Sequence, residues 1–253
     1  MTALPSPVDA AWTALAFILG AAIGSFLAVI LIRWPQGRSV VAGRSACDKC
    51  GRTLEARDLV PILSWSLASG RCRHCGARID RRHLAAEAGA AMIAIAAILA
   101  HPMPLAAVTA ILGWWLFLIA AMDLEHEWLP DRLTWPLLGA GLTAAWGGFG
   151  PPLESRLIGA AAGFASLFLI ARLYRWLRGR EGLGGGDPKL FAAIGAWLGW
   201  AQLPFVLVGA GLLGLAALLS RRLRGQSVAA TDRLPLGTLM AVSAWPIWLV
   251  TGW

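Results

Sequence analysis

Leu105-Ala-Ala-Val-Thr-Ala-Ile-Leu-Gly-Trp-Trp-Leu-Phe-Leu-Ile-Ala-Ala-Met122-Asp123 carries no charge before its last residue. An uncharged run of that length matches the hydrocarbon thickness of a bilayer when helical, and it is far longer than a buried strand needs. Comparable apolar runs recur at roughly 10–32, 84–101, 104–122, 133–148, 156–177, 188–201, 203–220 and 235–252. They predict an all-α polytopic membrane protein of about eight transmembrane helices. Composition agrees, because 58% of the 253 residues are hydrophobic and only 14% are charged, which excludes an ordinary soluble domain. The first run has no basic residue before it and no small-residue cleavage site after it, so it reads as a retained helix rather than a removed signal peptide.

A net charge of +8, from 22 Lys and Arg against 14 Asp and Glu, invites a nucleic-acid reading. The distribution points elsewhere. With the eight runs crossing alternately, Arg33 to Arg82, Arg132, Arg172 to Lys189 and Arg221 to Arg233 fall on one side, and only Arg156 falls on the other. Basic residues collect on cytoplasmic loops. The excess is therefore a topology signal: these segments are expected in the cytoplasm, both termini outside, membrane lipid as the surrounding partner and no nucleic acid. A re-entrant 188–201, the weakest run, is the alternative that would disturb this alternation. Most of the 14 Trp residues sit near span ends, as interfacial belts place them.

Composition changes abruptly after Arg33. The first helix occupies 1–33, a polar insert 34–82, and the remaining membrane core 83–253. Cys47-Asp-Lys-Cys50-Gly51 and Cys72-Arg-His-Cys75-Gly76 are two C-x-x-C-G knuckles. Two residues between thiolates let both sulfurs reach one tetrahedral ion, and four thiolates close its shell, so a structural zinc in a small ribbon-like insert is expected. Two disulfides or a redox pair are the alternative, disfavoured where thiols stay reduced. A nucleic-acid-binding ribbon is the other. Leu59-Val-Pro-Ile-Leu-Ser-Trp65 inside the insert is too short to span, and reads as an interfacial helix or as the insert's own core.

Acidic residues are few and sit at helix boundaries. Gly184-Gly185-Gly186-Asp187-Pro188-Lys189 separates two apolar runs, and Asp123-Leu-Glu-His-Glu-Trp-Leu-Pro-Asp131 separates two others. Two carboxylates at a membrane face suggest aspartyl protease chemistry, in which one proton is shared, the ionised group activates water and the protonated group stabilises the oxyanion. Asp131, after Pro130 and before a helix, also reads as an N-cap, and Asp187 before Pro188 as an ordinary helix start. Asp123 directly follows Leu116 to Met122, at the C-terminal end of a helix, where the dipole disfavours a negative charge, so a stabilising role in the fold is a poor explanation for it. Glu125 and Glu127 are expected to face water or basic loops. His126-Glu127 lacks the second His of a zinc protease, and no G-x-S-x-G, P-loop or convincing Ser–Lys dyad is present.

Taken in order, these segments resemble the bifunctional type IV prepilin peptidases, which also process type II secretion pseudopilins. The resemblance covers nearly the whole chain: Gly24-Ser-Phe-Leu-Ala-Val-Ile in the first helix, the cysteine pairs around Pro61-Ile-Leu-Ser-Trp65, Asp123 through Asp131, Gly184 to Lys189, and Leu234-Pro-Leu-Gly237. It implies Asp123 and Asp187, not Asp131, as catalytic residues at the cytoplasmic face of the bacterial inner membrane, with Gly185, Gly186 and Lys189 in the supporting motif. It implies removal of a short basic leader after a glycine from prepilin or pseudopilin substrates. It also implies N-methylation of the new terminus with S-adenosylmethionine as methyl donor. Ala28 departs from the pattern, standing where the family carries Asn, which bears on methyl transfer because polar first-helix and insert residues are associated with it. Arg81-Arg82-His83-Leu84 and Pro188 also depart from it, without touching the aspartates. A peptidase alone, or a zinc-ribbon membrane scaffold without activity, are the other readings.

Overall fold

Each apolar run forms a helix in the computed structural model, which describes residues 7–41, 43–179, 182–226 and 234–251. Most of the basic loop expected at Arg221 to Arg233, two residues of the glycine-rich loop before Asp187, and the last residue of the 235–252 run lie outside the described residues. The helices are α1 (Pro7–Arg33), α2 (Leu63–Leu67), α3 (Arg81–Ala100), α4 (Leu105–His126), α5 (Asp131–Ala144), α6 (Leu153–Arg178), α7 (Asp187–Leu198), α8 (Leu203–Leu223) and α9 (Leu236–Val250). No strand occurs among the described residues; two isolated antiparallel bridges, Ala46 with Thr53 and Arg71 with Arg78, lie in the insert.

The stretches Ala10–Gln36, Arg81–Ala100, Leu105–His126, Leu153–Arg178 and Trp200–Leu223 are long and apolar enough to cross a membrane. Helices α5, α7 and α9 have 14, 12 and 15 residues. At 1.5 Å per residue they reach only about 18 to 23 Å, short of a hydrocarbon core of about 30 Å. The run at 188–201 thus resolves into a short α7, a turn at Gly199 with φ 74, and a single 3-10 turn, Trp200–Gln202. Such a short element is tolerated because every residue of α7 except Lys189 is buried, so its polar start meets protein rather than lipid.

The chain divides into two compact units, Met1–Trp114 and Trp115–Trp253. In the first, α1 and α3 approach closely through glycine. A Cβ on Gly20 would lie 2.7 Å from the Ala90 carbonyl, and one on Gly24 would strike Ala86 and Glu87, so only hydrogen fits at either position. The Trp114 indole N–H donates to Ala90 O at 2.9 Å. At the start of α3, Asp80 accepts the Arg82 amide at 2.9 Å as an N-cap. Hydrogen bonds from the Arg82 guanidinium hold the Asp80 carboxyl below the usual carboxylate range.

In the second unit, α7 is packed against α5, α6 and α9. Gly195 of α7 meets Gly159 of α6 backbone to backbone, and a Cβ on Gly141 of α5 would lie 2.7 Å from the Trp197 ring. Trp197 and Trp248 meet edge to face at 5.6 Å, and the Trp197 indole donates to Leu137 O at 2.9 Å. These two tryptophans are core residues, unlike Trp135, Trp146, Trp176 and Trp200, which are exposed as an interfacial belt requires. Arg156 is also internal. Its side chain is fully buried and donates to the carbonyls of Pro151, Gly141, Ala196 and Phe149. Gly141 and Ala196 lie near the C-terminal ends of α5 and α7, where a cation meets the negative end of the helix dipole. The one basic residue on its side of the alternating arrangement is therefore a tie between helix ends, not a loop charge.

Candidate active site and metal centre

The four cysteines converge. Their sulfurs all lie within 4.8 Å of one another, and Cys47 Sγ is 3.8 Å from Cys75 Sγ. That separation is nearly twice a disulfide bond, and all four are free thiols. It equals the edge of a tetrahedron built with metal–sulfur bonds of about 2.3 Å. Each knuckle is built the same way. The Cys47 amide donates to Arg52 O and the Gly51 amide returns to Cys47 O, both at 2.9 Å; the Cys72 amide donates to Ala77 O at 2.8 Å and the Gly76 amide to Cys72 O at 2.9 Å. Gly51 and Gly76 both have φ 69, a left-handed turn that glycine adopts without cost.

Electrostatics separate the four thiols. Cys72 is lowered to about 7, first by the Cys75 and His74 amides that point at its sulfur. Cys75 is raised to about 11: the Ala77 amide pulls it down, but desolvation and the sulfurs of Cys50, Cys72 and Cys47 outweigh that pull. Four sulfurs this close resist carrying four negative charges unless a cation sits among them. The donor set fits a soft tetrahedral metal ion with no open coordination position.

The acidic site lies in the second unit. Helix α4 runs past Met122 to His126, so Asp123 sits in its last turn. Asp123 and Asp187 are only 6% and 7% exposed, and Asp187 lies within the electrostatic reach of Asp123. Asp187 is the first residue of α7, yet its carboxylate does not cap that helix. It turns back to accept the Gly184 amide at 3.0 Å. Asp131 is also not a cap: Pro130 holds the cap position, and the Asp131 carboxylate accepts from Lys189 Nζ at 2.6 Å. Neither carboxylate caps its own helix: Asp187 takes a preceding backbone amide, and Asp131 a lysine side chain from α7.

Asp123, by contrast, has a structural partner that its local sequence does not reveal. Its Oδ2 accepts the Thr238 amide at 2.7 Å, and the Thr238 hydroxyl lies 3.1 Å away. A carboxylate misplaced at the end of α4 thus caps the first turn of α9, where exposed amides and the helix dipole favour it. The reading that no stabilising role suits Asp123 holds only for its own helix.

Two glycines make this approach possible. A Cβ on Gly237 would lie 3.0 Å from Asp123 Oδ2 and 2.9 Å from Leu129 Cδ1, and one on Gly186 would lie 2.6 Å from Leu129 Cβ. Leu129 therefore packs against the starts of both α7 and α9. Gly185 has open space where a Cβ would stand. Lys189 reaches Asp131, not the buried pair. Sequence reasoning quoted Gly184, Gly186 and Gly237 within its motifs but passed over Thr238 and the packing role of Leu129. Thr238, next to the Leu234-Pro-Leu-Gly237 motif and just inside a helix start, was the available signal. Glu125 and Glu127 are exposed, with Glu125 3.8 Å from His126 Nε2.

Comparison with known proteins adds a second line. Residues 18–101 match the family described as Bacterial Peptidase A24 N-terminal domain, and residues 110–219 match the Type IV leader peptidase family. The chain is 38% identical to the prepilin leader peptidase/N-methyltransferase of Burkholderia pseudomallei (strain 1026b), over 94% of this chain and 84% of that one. It is 37% identical to the protein of the same name from Dickeya chrysanthemi, over 92% and 90%. It is 35% identical to the type 4 prepilin-like proteins leader peptide-processing enzyme of Escherichia coli O78:H11 (strain H10407 / ETEC), over 92% of each. No solved structure matches the chain.

Proposed function

Because the chain belongs to the type IV leader peptidase family, we propose that it is a membrane aspartic peptidase whose catalytic pair is Asp123 and Asp187. Its substrates are prepilins or type II secretion pseudopilins, cut after the glycine that ends a short basic leader. The observation that carries this reading is the pair itself: two buried carboxylates from separate helix ends, close enough for one to feel the charge of the other.

Two carboxylates so placed share one proton, since like charges resist double ionisation. The ionised group takes a proton from a water molecule as the water oxygen attacks the peptide carbonyl carbon. The protonated group gives its proton to the carbonyl oxygen. On collapse the C–N bond breaks, the nitrogen takes the proton gathered from water, and the second carboxyl recovers its own. Thr238 and the Gly184 amide orient the two carboxylates, Gly186 keeps the start of α7 against Leu129, and the Lys189–Asp131 pair joins α7 to α5 at the rim. Gly185 leaves its side of the loop open to substrate.

The four cysteines hold zinc, the ion that an all-thiolate tetrahedron suits, and its task is to fold the insert. The second activity transfers a methyl group from S-adenosylmethionine, consumed as a substrate, to the new N-terminal amine: a C–N bond forms as the donor's C–S bond breaks and the amine gives up a proton. Ala28 is fully buried and offers no polar group in the first helix, which favours a second reading, peptidase without methyl transfer. If the short helices α5, α7 and α9 cross together with the five longer ones, the uneven distribution of basic residues supports a bacterial inner-membrane location with the insert and the aspartates on the cytoplasmic side, both termini in the periplasm, and no nucleic-acid partner.

One experiment tests both activities. The purified chain in lipid is given a prepilin and S-adenosylmethionine, and the product is weighed. Loss of the leader supports the peptidase, and a further gain of one methyl group supports transfer. An intact prepilin favours the inactive scaffold.

A further inference from the structure

Residues 59–67, between the two cysteine pairs, leave large apolar side chains uncovered. Leu59, Val60, Leu63 and Leu67 are 47%, 43%, 54% and 70% exposed. The opposite side of the segment is occupied. Ser64 and Trp65, with Leu59 at the edge, line a cavity of about 780 Å³ together with Ser25 of α1 and Glu87 of α3. A Cβ on Gly70 would lie 2.7 Å from the Trp65 ring, so the indole is packed inward.

The height of this segment along α3 is fixed by one short bond. The Ile62 amide donates to Glu87 Oε2 at 2.6 Å. Ile62 has φ 63, a left-handed conformation that a β-branched residue rarely enters, so its backbone is bent to meet that carboxylate. Glu87 lies six residues after Arg81, the first residue of α3, or about 9 Å along the axis. Side chains on a helix lean toward its N-terminus. Ile62 therefore lies beside α3, between the levels of Arg81 and Glu87, and not beyond the helix end. The stretch Arg81–Ala100 is apolar and long enough to cross a membrane, and Gly24 of α1 packs at the same level. Apolar side chains facing outward there stand beside the membrane-crossing part of the unit.

The polar groups of the segment suit the same setting. Ser66 is exposed, but its hydroxyl donates back to Ile62 O at 2.8 Å and presents no free donor outward. Arg71, just after the segment, is exposed, as a residue near anionic headgroups is.

We propose that residues 59–67 form a lipid-binding ridge that lies in the headgroup–acyl boundary of the bilayer, seating the four-cysteine insert on the membrane and placing the cavity behind it at the membrane surface. The ridge is a contact with lipid, and it holds whether or not the chain cleaves prepilins. To test it, the full metal-loaded chain is reconstituted in vesicles of phosphatidylethanolamine and phosphatidylglycerol, with an environment-sensitive fluorescent amino acid at Leu63, at Leu67 or, as control, at Arg57. Lipid carrying a nitroxide near its headgroup should quench positions 63 and 67 at least threefold more than aqueous iodide does, roughly the contrast expected of a side chain in the interface, with the order reversed at 57. Iodide quenching of 63 and 67 equal to that of 57, or quenching by neither reagent because protein covers the ridge, overturns the proposal. A label that costs the chain its metal is moved to Val60, which is exposed and does not line the cavity, and read the same way.

Discussion

Thr238 donates its backbone N–H to Asp123 Oδ2 at 2.7 Å, joining the first turn of α9 to the last turn of α4 across 115 positions of sequence. Its hydroxyl stands between Asp123 Oδ2 at 3.1 Å and Ala120 O at 2.9 Å, and one hydrogen can serve only one of them at a time. The amide fixes the carboxylate in either case, and the hydroxyl adds a second, switchable partner. Thr238→Val keeps the amide and the shape but removes the hydroxyl. A lost hydrogen bond of about 1 kcal/mol predicts a fall in kcat of roughly fivefold, with Thr238→Ser close to the parent. Steady-state cleavage of a prepilin checks both variants, and an unchanged Thr238→Val would show that the amide alone suffices.

Gly237, Gly186 and Gly185 differ in what a methyl group would meet. Gly237→Ala pushes a carbon against Asp123 and Leu129, and Gly186→Ala against Leu129, both within 3.0 Å. Each should cut kcat/KM by about tenfold or more, as overpacking of about 1–3 kcal/mol at a site does. Gly185→Ala should leave catalysis within about threefold, because its Cβ enters open space and the backbone φ there is not left-handed. Equal losses at all three positions would mean the loop is needed for flexibility and not for close approach.

Arg156 is fully buried and satisfies carbonyls near the ends of α5 and α7. Arg156→Met leaves those carbonyls unpaired and should destabilise the chain by about 2–4 kcal/mol, seen as a lower Tm in detergent. Arg156→Lys should recover part of the loss, since an ammonium cannot reach as many acceptors at once. A Tm for Arg156→Met equal to that of the parent would remove Arg156 as a structural tie.

Four sulfurs within 4.8 Å predict one metal ion per chain. Metal analysis should find about one zinc, and Cys72→Ser or Cys50→Ser should lose it. Binding requires the thiolates, so lowering the pH should release the metal as protons compete for sulfur, with the insert becoming sensitive to protease in the same range. Metal retained through strong acid, or full protease resistance after chelation, would contradict a structural role.

Helices were readable because lipid leaves few alternatives: each apolar run from 10–32 to 235–252 became a helix, and the knuckle spacing placed four sulfurs together. Helix ends were less readable. Asp131 and Asp187 look like caps by position, yet the Asp131 carboxylate turns to Lys189 on the neighbouring α7 and the Asp187 carboxylate to the Gly184 amide in the loop before it. Asp123 looked unsupported because its partner lies 115 residues on. Helix length is less readable as well: α7 has only 12 residues, and the burial within one unit that accommodates so short an element does not show in an apolar run. Arg156 stood out in the sequence only as the one basic residue on its side, because its acceptors are backbone carbonyls, which a sequence does not display.

The most direct test is cleavage by Asp123→Asn and Asp187→Asn, each reconstituted in lipid with a prepilin and followed by the mass of the product. Asn keeps the size of the side chain but cannot carry the shared proton, so each variant should lose leader removal by about a thousandfold or more while keeping its metal and its Tm within a few degrees. Cleavage at the parent rate by either variant would contradict the assignment of Asp123 and Asp187 as the catalytic pair.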